Sequence, residues 1–283
     1  MTGAPGAPSP RPTFPEAILL LLLMLAVSGV GMGAILIGHR EATIDIVLLG
    51  VAEVFAILLT LLLGLRLAKA PVADTLALRP APVWTLAAAV PLAAGAAILI
   101  SALEIPLQNA IPMPEDFAVH LANLLYPEST TDWARIIAAA VLLIPLGEEL
   151  LFRGLFLSGF VPRYGRFRAL AFSSLLFAIA HLNPWGFAGI FIAGWLLGAL
   201  VLRTGSLWPA VILHSTYNLA SVVQLKLSFP ERPTVATMIE VEAEGVEPLL
   251  LAFAAVVVGA LLVAYARWGR NPRNRTPLPT EGF

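Results

Sequence analysis

The chain has 283 residues, 59% of them hydrophobic and 12% charged, with a mean hydropathy of +0.87. Soluble domains carry about 25% charged residues, so this composition excludes a soluble globular enzyme, and its hydrophobicity excludes a disordered chain. A formal net charge of -1 offers no basic field to a nucleic acid, and the absence of cysteine removes disulfides, thiolate zinc sites and cysteine nucleophiles together.

What remains is an all-α polytopic membrane protein. The first residues, 1–15, are rich in Pro, Gly and Ala and read as a disordered cytoplasmic N-terminus. The apolar run from Ala17 to Ile37 exceeds the core of a signal peptide and reads as a retained anchor. Apolar windows then predict about eight transmembrane helices, near 17–37, 44–65, 83–103, 134–157, 168–182, 186–202, 207–225 and 248–266. The fifth and sixth are short and meet at an Asn183-Pro184 turn. Residues 16–268 thus form an integral membrane domain, and 269–283 a basic cytoplasmic tail.

Alternating the loops from a cytoplasmic N-terminus places twelve of the 17 Lys and Arg inside. Arg40, Arg135, Lys226 and Arg232 fall outside, and Arg153 falls within a span. Acids gather outside, with Glu104, Glu115, Asp116, Glu128 and Asp132 assigned to one outer loop and Glu231, Glu240, Glu242, Glu244 and Glu247 to another. The split predicts a multi-pass protein of the cell membrane with both termini cytoplasmic. In the first outer loop Phe117, Leu121, Leu124 and Leu125 recur at helical spacing, which predicts an amphipathic helix on the bilayer surface. Gly29/Gly33 and Gly194/Gly198 are small-residue pairs suited to close helix contact.

The fourth span holds Glu148, Glu149 and Arg153. Unpaired, at roughly 2.5–3.5 kcal/mol each, they would oppose insertion by on the order of 8–10 kcal/mol. Glu149 and Arg153 stand four apart with the acid first, the favourable order for an ion pair on one helix. Glu148 is left over on another face. Pro145 removes a backbone donor just before it, which predicts a kink, a freed carbonyl and room for water.

His181 ends the fifth span, and His214 and Asn218 share one face of the seventh. A lone intramembrane histidine is more often an interhelical hydrogen-bonding group. Two of them with a spare glutamate, all at mid-membrane depth, suggest activation of a water molecule. An apolar site makes a carboxylate a stronger base, an imidazole orients the same water, and a His and an Asn donate to the oxyanion formed at a carbonyl. No serine stands in a nucleophile motif; Ser158 lacks the preceding glycine, and a His-Glu-x-x-His motif is absent.

In order, Glu148-Glu149-x-x-x-Arg153, Phe177-x-x-x-His181 and His214-x-x-x-Asn218 resemble the three motifs of the CPBP family. That family includes the type II CAAX prenyl endopeptidases and the bacterial proteins named for abortive infection. The resemblance covers about 130–225 and implies an intramembrane endopeptidase. It implies Glu148 as general base, His181 holding water, His214 and Asn218 as the oxyanion site, and Glu149 with Arg153 as a bracing pair. Relatives are described both as metalloproteases and as glutamate proteases. Glu148, His181 and His214 are by type able to ligate one Zn²⁺, but their spacing is no compact zinc motif, and metal-free catalysis with no cofactor is expected. The expected partners are the bilayer and a membrane-associated protein or peptide, lipidated if the substrate is of CAAX type. A non-catalytic scaffold or immunity protein with the same fold, and an ion-coupled transporter using Glu53 of the second span, are the rival readings.

Overall fold

The computed structural model describes residues 12–38, 46–68, 71–234 and 246–268. The expectations for the basic tail at 269–283, and for most of the N-terminal stretch, lie outside these residues. Among them every element is helical.

Helix α1 (Phe14–Gly38) starts earlier than the N-terminal composition suggested. Thr13 begins it through reciprocal bonds: its backbone N–H donates to the Glu16 carboxylate at 2.8 Å, and its hydroxyl accepts from the Glu16 N–H at 3.4 Å. Phe14 then stacks on Phe172 at 4.3 Å between ring centroids, so residues 13–15 are ordered by packing that composition does not reveal. Then follow α2 (Ile46–Ala68), a single turn α3 (Val72–Thr75) and α4 (Val83–Ala110). The amphipathic segment is helical as expected, as α5 (Glu115–Leu124). Its Phe117 meets Trp185 of the Asn183 turn at 5.4 Å.

A Ser129–Asp132 capping box opens α6 (Thr130–Ile136). The same rod runs on through a π-helical segment π1 (Ile137–Leu143), α7 (Ile144–Glu149), a second π-helical segment π2 (Leu150–Phe156) and the first part of α8 (Leu157–Ala180). Gly165, at φ 77° and ψ 162°, breaks α8 into two rods. That backbone region is open essentially to glycine alone, so the sequence fixes the hairpin there. Helices α9 (Phe187–Thr204), α10 (Trp208–Ser228) and α11 (Pro248–Trp268) complete the bundle.

The described part of each of the eight predicted segments is helical. Among the described residues, five helices are long and apolar enough to cross a membrane: α1, α2, α4, α9 and α11. The rods around 130–180 and α10 carry the polar residues instead. Their inner surface is a column of rings: Phe152, Phe156, Phe160 and Phe177 are fully buried, with neighbouring centroids 5.3–6.1 Å apart. The outer surface is apolar as well. Leu19, Leu62, Phe253 and Val256 are each more than half exposed, while Glu149 and Arg153 are at 0% exposure. Charges within and bare hydrocarbon without suit a lipid surround, the inverse of a water-soluble surface.

Among the described residues, only the second of the two glycine pairs makes close contacts. Gly194 and Gly198 of α9 face α8 closely: a Cβ at 198 would stand 2.5 Å from Leu170 Cδ1. Among the described residues a Cβ on Gly29 or Gly33 would meet nothing within 4 Å, and it is Gly31 that meets Ala52 of α2. A spacing of four names a shared face without saying whether a neighbour covers it.

Candidate active site

Glu149 lies at the centre of the buried polar network. Its Oε1 accepts from Arg153 Nη1 at 2.9 Å and from His214 Nδ1 at 3.0 Å. The first bond is the i,i+4 pair expected along one helix; the second joins that helix to α10. Arg153 also donates from Nη2 to the Gly194 carbonyl at 3.1 Å and lays its guanidinium over the Phe177 ring at 4.0 Å. Gly194 permits this, because a Cβ there would lie 3.2 Å from Nη2 and 3.1 Å from Phe177 Cδ1. One buried cation is thus held by a carboxylate, a carbonyl and a ring, which offsets its removal from water.

His214 is committed through Nδ1, so its Nε2 is the nitrogen left for chemistry. It stands 3.6 Å from Glu148 Oε2. His181, at the end of α8, is braced in the same way: Nδ1 faces the Phe177 carbonyl at 2.8 Å. A carbonyl only accepts, so Nδ1 carries the proton and Nε2 is left with its lone pair. Phe177 packs between both imidazoles, 4.6 Å from His181 and 5.7 Å from His214 between centroids. Its recurrence four before His181 was visible in the sequence; its place beneath the arginine was not.

Asn218 departs from the simplest expectation. Its Nδ2 donates to the Ala140 carbonyl at 2.8 Å. In the i→i+5 pattern of π1 the partner of that carbonyl is the nitrogen of residue 145, and Pro145 has no N–H to give. Asn218 therefore satisfies the carbonyl that Pro145 leaves free. Among the described residues the amide's second N–H has no partner.

Glu148, His181, His214 and Asn218 all line one cavity of about 440 Å³, with Tyr217, Ser221 and Asn183 beside them. Glu149 and Arg153 do not reach it; they sit behind its wall. Glu104 does reach it, which corrects its assignment to an outer loop: α4 continues to Ala110 and carries this carboxylate to the cavity. The usual length of a span gave no reason to extend α4 that far. Glu53 of α2 accepts a hydrogen bond from Ser28 Oγ at 2.7 Å, which accounts for a polar residue in that span by pairing between helices. For a metal, the donor types suit Zn²⁺. Among the described residues, however, no three His, Asp, Glu or Cys side chains come together closely enough to hold an ion.

Fold and site together define a helical membrane protein in which Glu148, Glu104 and two braced imidazoles line one partly open cavity. Residues 130–220, which hold all three motifs, match the family of the type II CAAX prenyl endopeptidases, Rce1-like. The resemblance read from the motifs thus holds for that segment, and its family is one of proteases. No curated protein and no solved structure matches the chain.

Proposed function

We propose that the chain is an intramembrane endopeptidase that hydrolyses a peptide bond of a membrane-associated protein or peptide by water activation at Glu148. The observation that supports this reading is the 440 Å³ cavity lined by Glu148, His181, His214 and Asn218 of the Rce1-like segment. Glu148 takes a proton from water as the water oxygen attacks the carbonyl carbon. His181, a lone-pair acceptor at Nε2, holds the second hydrogen of that water. The free N–H of Asn218 donates to the developing oxyanion, joined by His214 Nε2 when the ring carries both protons. The C–N bond then breaks, and Glu148 returns its proton to the leaving amine.

Catalysis in this reading needs no metal, and both termini face the cytoplasm. A CAAX-type, prenylated substrate is the finer form of the proposal. The test is cleavage by the full-length protein in lipid nanodiscs of peptides bearing a farnesylated CAAX end and of unmodified transmembrane peptides. Wild type should cleave at least one class and Glu148→Gln neither. Cleavage that survives Glu148→Gln overturns the assignment of the base. Stoichiometric metal that is lost in Glu148→Gln, with inhibition by chelator, overturns the metal-free mechanism.

A further inference from the structure

A polar group carried into a membrane bundle is either compensated there or kept for a task. The tyrosines separate the two cases. The chain has four of them. Tyr126 donates to the carbonyls of Phe229 and Pro230, Tyr164 accepts from the Phe14 N–H, and Tyr265 donates to the Thr85 carbonyl. Tyr217 is the exception. Among the described residues its hydroxyl has no hydrogen-bond partner, although a phenol drawn into a protein ordinarily finds one. It is half-buried and lines the same cavity as Glu148, His181, His214 and Asn218.

Its place follows from the helix. His214, Tyr217 and Asn218 stand at i, i+3 and i+4 of α10, so they share one face. The donors on that face are few. Asn218 has given one N–H to the Ala140 carbonyl and has one left. His214 donates from Nδ1 to Glu149, so the neutral ring offers only a lone pair at Nε2. With both protons, its Nε2 N–H stands 3.6 Å from Glu148 Oε2, the carboxylate that must take the proton of water, and is drawn to that base as well as to an oxyanion. Ser221 Oγ donates to the Tyr217 carbonyl at 3.0 Å. Asn183 also lines the cavity, but from the turn between α8 and α9, where its Oδ1 is held by the N–H groups of Trp185 and Gly186. The Tyr217 hydroxyl is thus the donor on the His214–Asn218 face that nothing else engages.

Resting on the endopeptidase reading, we propose that Tyr217 is a further catalytic residue, its hydroxyl donating with the Asn218 amide to the oxyanion of the tetrahedral intermediate. As the water oxygen bonds to the carbonyl carbon, the π pair of the C=O moves onto oxygen, and both donors hold it without giving up a proton. When the C–N bond breaks, that pair returns to re-form the carbonyl. A phenol keeps its O–H at neutral pH whatever the charge on His214, so the oxyanion site does not depend on the second proton of that ring.

The test uses the full-length protein in lipid nanodiscs and whichever of the two peptide classes above wild type cleaves and Glu148→Gln does not. Tyr217→Phe should lower kcat by about 10²–10³-fold, the share of one oxyanion donor. KM should stay unchanged, because the bond forms only at the transition state. The unfolding midpoint should match wild type, since the hydroxyl has no partner in the protein to lose. A phosphinate analogue of the same peptide, with a tetrahedral anion at the scissile position, should bind Tyr217→Phe more weakly by a similar factor. The intact amide peptide should bind Glu148→Gln and the double variant Glu148→Gln/Tyr217→Phe alike. Wild-type kcat in Tyr217→Phe, a loss confined to KM, undiminished phosphinate binding, or a variant that unfolds early or fails to fold each overturns the inference. The endopeptidase reading survives all four, because it stands on the Glu148-dependent cleavage by wild type. No such cleavage sinks that reading, and this one with it.

Discussion

Replacing Glu149 by Gln tests whether the buried network is one charge-compensated unit. The substitution keeps the side chain's volume and one acceptor oxygen but removes the anion bonded to Arg153, whose side chain is at 0% exposure. Breaking such a pair from one side costs about 3–5 kcal/mol, most of it the stranded charge. Adding Arg153→Met removes the stranded cation and fills its space with an apolar chain, so the double variant should recover about 2–4 kcal/mol of that loss. The recovery is incomplete because the bond to the Gly194 carbonyl and the contact with Phe177 are gone. Activity should not recover. His214 Nδ1 has lost its charged partner at 3.0 Å in both variants, and loss of such an orienting partner lowers activity about 10–100-fold. Unfolding of the detergent-solubilised full-length protein, followed by denaturant titration beside the cleavage assay, reads both. If the single variant lies within about 1 kcal/mol of wild type, or if Arg153→Met destabilises it further, the argument from buried charge fails.

Glu148→Gln should lower cleavage by about 10²–10⁴-fold, the usual share of a general base, with an unchanged unfolding midpoint; a matching fall in stability would instead support the scaffold reading. Asn218→Ala orphans the Ala140 carbonyl and should destabilise by about 1–3 kcal/mol. Pro145→Ala in the same chain restores an N–H for that carbonyl, so the double variant should be more stable than the two single effects predict, and strict additivity would refute the assigned role. Gly194→Ala places a Cβ 3.1–3.3 Å from Phe177, Arg153 and the Ser174 backbone and should destabilise by about 1–3 kcal/mol. Gly33→Ala, which meets open space, is the control that should be near neutral. Equal behaviour of the two in thermal unfolding would show that the α8–α9 contact is not tight.

The positions of the helices were legible in the chain because insertion depends on a local property, the apolarity of about 20 successive residues. The Glu149–Arg153 pair was legible for a related reason: residues four apart on one helix meet whatever surrounds them. So was the His214–Asn218 face, together with the motifs that mark residues 130–220. Which residue of another helix faces each of these depends on rotation and depth of one rod against the next, and no local pattern encodes that. Packing alone seated Glu149 against His214, turned Asn218 onto the carbonyl freed by Pro145, and used Gly194/Gly198 while leaving Gly29/Gly33 bare. It also ran α4 far enough to bring Glu104 to the cavity. The sequence by itself determined that these polar residues enter the bundle and must be compensated there. The tertiary structure decided which of them compensate one another and which line the cavity, because only close packing fixes distances between helices.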